Sequence, residues 1–474
     1  MNTFRKNKGI TLISLVVSII VLLILSGISI SMLSGNNGIL KQVSNAKNMT
    51  EEATKNEQKD LAELEDVIYE SQTGVAVEKV QDTNAGVLEI SEADENVLTI
   101  NSIEDLVFFA YDVTNGNTYE GKTVELGISL DFKSNKSYVD ASRTDYAKYG
   151  YNGLLKTALT TGEGFKGIGT LDNNSQSSYS FVGTFDGKGK VINNLYMKVN
   201  LIDNSKDLRM GFFGNNYGTV KNLGVRNCNI SGTLDTTGNN TAILGGIVGF
   251  NYGEINSCFT SGNIECKGKN NAKSRVGGIA GTTNNGYIYN CYNLANINGS
   301  GDILTCVGGI LGAGSNINVE NCYNAGKLFV NGNGIDGLSQ IGGIVANLTN
   351  GIINNCYNCN ILELAGSALG CFAGGILGIG QTTNINNSHN KGQIISNANS
   401  TESYIGLIIG RNNTGVVIQN CYYLKFENYT SSGYRSKNVN SIDVDKENDM
   451  PKILDTIGEK FKNGTSQYPI LNWQ

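Results

Sequence analysis

The sequence predicts a mainly β protein. Its body reads as a parallel β-helix with turns of about 32 residues, taken as right-handed by analogy with other parallel β-helices, preceded by a long N-terminal transmembrane and stalk α-helix. Three observations carry this reading. First, a Gly pair recurs with an apolar strand behind it, at Gly245-Gly246, Gly277-Gly278, Gly308-Gly309, Gly342-Gly343 and Gly374-Gly375. Degenerate copies stand at Gly211-Phe212 and Gly406-Leu407, and the seven copies are separated by 34, 32, 31, 34, 32 and 32 residues. Second, the chain holds 60 Gly and only 2 Pro, with Asn unusually abundant. That balance favours short strands joined by tight turns and excludes collagen and Pro-rich linkers. Third, Ile10–Leu33 is an uncharged, largely apolar run of 24 residues, long enough to cross a bilayer as a helix.

The elements follow in order. Residues 1–9 carry Arg5, Lys6 and Lys8 and end at Gly9. A basic flank before an apolar span places the flank on the cytoplasmic side and the bulk of the chain outside. The run Lys8-Gly9-Ile10-Thr11-Leu12-Ile13-Ser14-Leu15 resembles the type IV prepilin leader, in which a membrane peptidase cuts after the Gly. The resemblance implies cleavage between Gly9 and Ile10, with the prepilin peptidase and pilin-like subunits as partners. Two positions depart from that family's pattern. Ile10 stands where Phe is usual, and Ser14 stands where a Glu usually pairs with a neighbouring subunit's amine. Ser14 therefore weakens the case for entry into a filament.

After the transmembrane segment 10–33, a break at Ser34–Gly38 leads into a helical stalk over 34–72, with Leu40, Val43, Leu61, Leu64 and Ile68 at helical spacing and an acidic far half. Residues 73–164 are expected to form an N-terminal cap. Within it, Ser102-Ile103-Glu104-Asp105 has the form of a capping box opening a helix to about Thr114, and a strand follows near Thr123–Leu130.

Residues 165–423 hold the repeats, and 424–474 a C-terminal cap. One repeat cannot bury its apolar side alone; stacking turns about 4.8 Å apart closes the ladder and builds a continuous core. Like positions then stack on like. One column reads Cys228, Cys258, Cys291, Cys322, Cys356, Ser388, Cys421. Beside it runs Phe259, Tyr292, Tyr323, Tyr357, His389, Tyr422, and before it Asn227, Ser257, Asn290, Asn321, Asn355, Asn387, Asn420. Stacked Asn amides can hydrogen-bond from turn to turn, and Asn tolerates a left-handed corner. These residues resemble the GLUG repeat of large bacterial surface proteins, as do Phe181–Asn194 before them and the end Tyr468–Gln474. Members of that family include adhesins and the N-terminal parts of IgA-cleaving metallopeptidases. The His-Glu-x-x-His of the latter is absent here.

Chemistry is sparse. The one His, His389, excludes a His-pair metal site. Six of the ten Cys share one repeat column, where parallel side-chain vectors suit buried thiols better than disulfides. Cys356-x-x-Cys359 lacks a partner pair, and Asp443, Asp445 and Asp449 lack the Gly and terminal Glu of an EF-hand. The carboxylates between Gly211 and Tyr423 do not recur on one face, as a polysaccharide lyase or hydrolase would require. A net charge of −6 argues against nucleic acid. No enzyme activity, cofactor or metal is expected. The expected function is adhesion: a membrane-anchored cell-surface head that binds glycan, matrix or host protein, with the insertions Lys267–Ser274 and Gly332–Leu338 as places to look for the ligand. The alternative is a structural minor pilin or pseudopilin, and the third reading a β-helical polysaccharide enzyme.

Overall fold

In the computed structural model, residues 89–91, 94–114, 116–132, 164–169, 180–334, 336–424, 430–434, 439–444, 457, 459–463 and 469–474 are described. They belong to one compact unit, Val75–Gln474. The predicted segments 1–9, 10–33 and 34–72, with Gly9, Ile10 and Ser14, lie outside the described residues. The expectation of a long N-terminal helix is corrected. Among the described residues the helix is Ile103–Thr114, 12 residues long, and none is long and apolar enough to cross a membrane. Twelve residues span roughly 18 Å at 1.5 Å each, well short of a bilayer core, and Glu104, Asp105 and Asp112 lie within them. The helix instead caps the solenoid. The Ser102 Oγ accepts the Asp105 N–H at 3.1 Å, satisfying one orphan donor of the first turn, and an Asp105 carboxylate oxygen accepts the Asn101 N–H just before the helix at 2.9 Å. Leu106, Phe109 and Val113 turn inward.

The rest is a parallel solenoid. One coil illustrates it: strand Leu304–Gly308 in a first sheet, Leu311–Glu320 in a second, the two-residue rung Tyr323–Asn324, and Leu328–Gly332 in a third. Each pairs in parallel register with its counterparts one coil away. In the first sheet the register runs Met210, Leu244, Val276, Val307, Ile341, Ala373, Ile405. In the second it runs Val220, Ile255, Ile288, Val319, Ile353, Ile385, Ile418, and in the third Met197, Ile230, Ile264, Ile297, Leu328, Leu362, Ile394. These columns form one continuous buried core, because every coil hands its apolar side to the next.

The Gly pairs make the corner between the first and second sheets. A Cβ on Gly308 would sit 1.9 Å from the Leu311 carbonyl oxygen, and one on Gly342 1.8 Å from that of Val345. The second Gly of each pair is pressed from inside. A Cβ on Gly309 would lie 2.5 Å from Asn324 Cγ, and one on Gly343 2.6 Å from Asn358 Cβ. The corner is therefore closed to any side chain on both sides.

The C-terminal segment first extends the end of the solenoid, where Thr430–Tyr434 and Val439–Val444 pair in parallel with Glu402–Thr414 and Val417–Leu424. Phe461–Asn463 and Pro469–Leu471 form an antiparallel hairpin laid along the side of the coils. Phe461 packs against His389 and Tyr357, and Trp473 against Tyr292 and Tyr323, with ring centroids 5.9 Å apart in each Trp473 pair.

Candidate functional site

The columns read from the sequence lie together on one edge of the coil. The Asn column is the corner: Asn227, Asn290, Asn321, Asn355, Asn387 and Asn420 have φ between 47° and 56°, with Ser257 at 53°. Asn321 donates to Asn290 Oδ1 at 3.1 Å, Asn355 to Asn321 at 3.0 Å and Asn420 to Asn387 at 3.2 Å. Asn290 and Asn387 donate instead to Asn256 and Asn354. The corner turns the next residue inward, which is why Cys228, Cys258, Cys291, Cys322, Cys356 and Cys421 are all buried. Each thiol of the last five meets the carbonyl two residues back, and Cys291 and Cys322 sulfurs accept the N–H of Cys258 and Cys291 at 3.4 Å. All ten cysteines are free. Burial pushes the Cys228 and Cys421 thiols up to about 12, so they stand as neutral packing groups rather than nucleophiles.

The aromatic column stacks face to face. Phe259–Tyr292, Tyr292–Tyr323 and Tyr323–Tyr357 centroids are 4.9, 4.9 and 5.0 Å apart with planes within 5°. His389 continues it at 4.8 Å from Tyr357, and Tyr422 pairs in register beyond it. The hairpin seals this ladder: Tyr357 Oη donates to Gln474 Oε1 at 2.8 Å, and His389 Nε2 lies 3.0 Å from the Pro469 carbonyl oxygen. Burial holds His389 down to about 3, so it is neutral at pH 7 and its Nε2 is the protonated, donating nitrogen. These residues build and lock the solenoid. Where the hairpin meets the Asn column, Asn290 and Asn321 line a hollow of about 260 Å³ with Leu471, Asn472 and Trp473.

A second Asn ladder went unrecognised in the sequence, although its residues end each Asn-Cys-Tyr-Asn motif. Asn293, Asn324, Asn358 and Asn390 are wholly buried and bond in series, each link 2.8 Å. Every one also donates to a carbonyl two residues on. Their side chains fill the space left by the second Gly of each pair.

A groove lies on the outside of the Gly corner, where the first and second sheets face each other, and most of the side chains that line it, Ile243, Cys306, Gln340, Phe372 and Ile379 among them, are themselves buried in it. Two outward columns line it. One is Arg209, Ile243, Arg275, Cys306, Gln340, Phe372, Tyr404; the other is Asn215, Phe250, Thr282, Ala313, Asn347, Ile379, Arg411. They meet across the corner: Arg209 Nη1 donates to Asn215 Oδ1 at 2.9 Å, and Asn347 Nδ2 to Gln340 Oε1 at 2.7 Å. One end of the groove is aromatic. Arg209 sits 4.4 Å above the Phe250 ring, which stacks on Tyr252, and Tyr252 stacks on Tyr217 at 4.5 Å. Phe372 and Tyr404 are parallel at 5.7 Å at the other end, with Arg411 4.9 Å over Phe372. Between them lies a pocket of about 250 Å³ lined by Arg275, Thr282, Asn284, Ser315, Asn347 and Thr349, with Leu304 and Cys306. Burial pushes the Cys306 thiol up to about 11 against the pull of Arg275. The signal for this groove in the sequence is the position two residues before each first Gly, which changes type from copy to copy.

The insertions Lys267–Ser274 and Gly332–Leu338 are elsewhere. Lys267–Asn270 extends a strand of the third sheet, and the pocket does not include either insertion. Among the described residues no three of His, Cys, Asp or Glu are placed to hold a metal ion. Asp443 falls in the strand Val439–Val444, while Asp445 and Asp449 lie outside the described residues.

No protein-family model matches the chain, and no curated protein matches it. Among solved structures it is similar to one described as "a putative immunoglobulin A1 protease from Bacteroides ovatus", at 17% identity and a TM-score of 0.40, over 80% of this chain and 92% of that one.

Proposed function

We propose that the solenoid is the binding head of a protein displayed at the cell surface, and that it engages an extended glycan along the outer groove. The supporting observation is the order of groups there: the partly open rings of Tyr217 and Tyr252, a polar pocket, then the partly open ring of Tyr404 stacked on the buried Phe372, along successive coils. Aromatic faces take the apolar faces of sugar rings, and planar amides and hydroxyls fix their hydroxyl groups. Coils about 4.8 Å apart give an extended polymer repeated contacts with no moving part. The test is titration of the full chain against a panel of soluble polysaccharides, with Tyr217→Ala and Tyr252→Ala. Each substitution is expected to weaken binding about tenfold at unchanged melting temperature, as loss of a stacking contact of about 1.4 kcal/mol would do. A chain that binds no glycan, or variants that bind as the parent does, would refute the reading.

The Lys8–Ser14 motif supports a second reading, a pilin-like filament subunit. Its test is the N-terminal sequence of the native protein. A mature chain starting at Ile10 and sedimenting with filaments supports that reading; an uncut Met1 rejects it.

A further inference from the structure

The pocket at the middle of the groove has an unused charge. Arg209 and Arg411, in neighbouring columns of the same groove, lie against Phe250 and Phe372, and Arg209 is also 3.7 Å from Asp207. Arg275 differs. Among the described residues its guanidinium has no ion pair and no hydrogen bond, and its Nε, like those of Arg209 and Arg411, is buried without a hydrogen-bond partner. Thr282 faces it across the corner. That residue is 2% exposed, and its Oγ1 is also buried without a partner. Both line the pocket, no carboxylate does, and the rest of the polar lining is amide and hydroxyl. A buried donor left unpaired is costly, and a cation beside a hydroxyl and amide donors is an arrangement that an oxyanion completes.

We infer that this pocket is a subsite for an acidic sugar, with Arg275 pairing to a carboxylate or sulfate substituent while Thr282 donates its hydroxyl to the same group. The amides of Asn284 and Asn347 and the hydroxyls of Ser315 and Thr349 would then meet the ring hydroxyls. This inference rests on the glycan reading of the groove. A sugar fits better than an acidic peptide because the pocket is small and polar and is flanked along the solenoid by aromatic faces rather than by an open sheet edge.

Calorimetric titration of the full chain tests it, using polygalacturonate, heparin, dextran and poly-glutamate as probes. Binding is expected to one of the two acidic polysaccharides. A preference for polygalacturonate assigns a carboxylate, and a preference for heparin a sulfate. Arg275→Gln should weaken that binding tenfold or more, and Thr282→Val about threefold with the melting temperature unchanged or raised, since a buried unpaired hydroxyl is removed. Lys269→Gln makes the same charge change at an exposed position and should leave binding within twofold. Equal losses for Arg275→Gln and Lys269→Gln would overturn the inference, because the attraction would then be diffuse. Binding to dextran alone would overturn it and leave the groove reading intact. Arg275-dependent binding of poly-glutamate alone would reassign the pocket to peptide. Binding of no polysaccharide would remove the groove reading itself.

Discussion

Replacing Asn324 by Ala should destabilise the solenoid far more than replacing Asn321, three residues earlier in the same motif. Asn324 is completely buried and makes four hydrogen bonds through its amide. It donates to Gly326 O at 2.9 Å and to Asn358 Oδ1 at 2.8 Å, and accepts from Gly326 N at 3.2 Å and from Asn293 Nδ2 at 2.8 Å. At about 1 kcal/mol per bond the loss is about 4 kcal/mol, and buried partners left unpaired raise it further. Asn321 is half-buried, and its amide makes one bond to each neighbouring coil. Water replaces much of that, leaving about 1 kcal/mol. Its φ of 53° adds about 1 kcal/mol for Ala, which resists the left-handed region, so Asn321→Gly should recover part of the loss. The assay is equilibrium unfolding in urea, followed by far-UV circular dichroism and by the fluorescence of Trp473, the single Trp of the chain. Two probes are needed because repeat arrays can unfold in pieces. The expected order of midpoints is parent, Asn321→Gly, Asn321→Ala, Asn324→Ala. If Asn324→Ala costs no more than Asn321→Ala, the inner ladder does not carry the stability assigned to it.

Gly309→Ala would place a Cβ 2.1 Å from Gly343 O and 2.5 Å from Asn324 Cγ, and the same urea titration should show a loss of about 3 kcal/mol. His389 is held neutral to about pH 3 in the fold but charges near 6.5 when unfolded. The unfolded chain therefore takes up the proton first, and stability should fall as pH drops from 6.5 towards 3, by about 2 kcal/mol at pH 5. His389→Phe should remove that part of the slope in unfolding measured at pH 7 and pH 5. A thiol reagent at pH 8 should leave the buried Cys column unmodified in the native chain and reach Cys359 first, since Cys359 alone among the ten is not fully buried; rapid native labelling of Cys322 or Cys356 would contradict the structure.

The period was legible in the sequence because it is written in residues with few substitutes. Nothing but Gly fits the pinched corner between Gly308 and the Leu311 carbonyl, and few residues other than Asn hold a left-handed φ at the next corner. The groove was not legible for the opposite reason. Ile243, Arg275, Cys306, Gln340, Phe372 and Tyr404 share one outward column, but each packs against different partners in the groove, so the position repeats no residue type. Only the paired register shows that Arg275 and Thr282 line one hollow. The lateral packing of the C-terminal hairpin was not legible in the sequence. The ladder it covers presents stacked ring edges along the side of the coils, and Phe461 and Trp473 add apolar rings there.

The inner Asn ladder and the Gly pairs prove to be one feature, and the degenerate copies show it. Along the rung register the buried position reads Val225, Thr260, Asn293, Asn324, Asn358, Asn390, Tyr423. The Gly facing it is pressed by that same residue: Gly246 by Thr260, Gly278 by Asn293, Gly309 by Asn324, Gly343 by Asn358 and Gly375 by Asn390. The two copies that lack the second Gly, at Phe212 and Leu407, are those in which the rung residue is not Thr or Asn but Val225 or Tyr423. Where a polar ladder occupies the middle of the coil, the facing corner has to give up its side chain. Where the ladder stops, Phe212 and Leu407, both buried, restore an apolar interior. The Gly pair is thus a mark of a hydrogen-bonded interior as much as of a tight turn. It follows that Asn324→Leu alone should fail by collision with Gly309 and its neighbours, whereas an apolar exchange at both positions of one coil is compatible with the packing seen at the two ends.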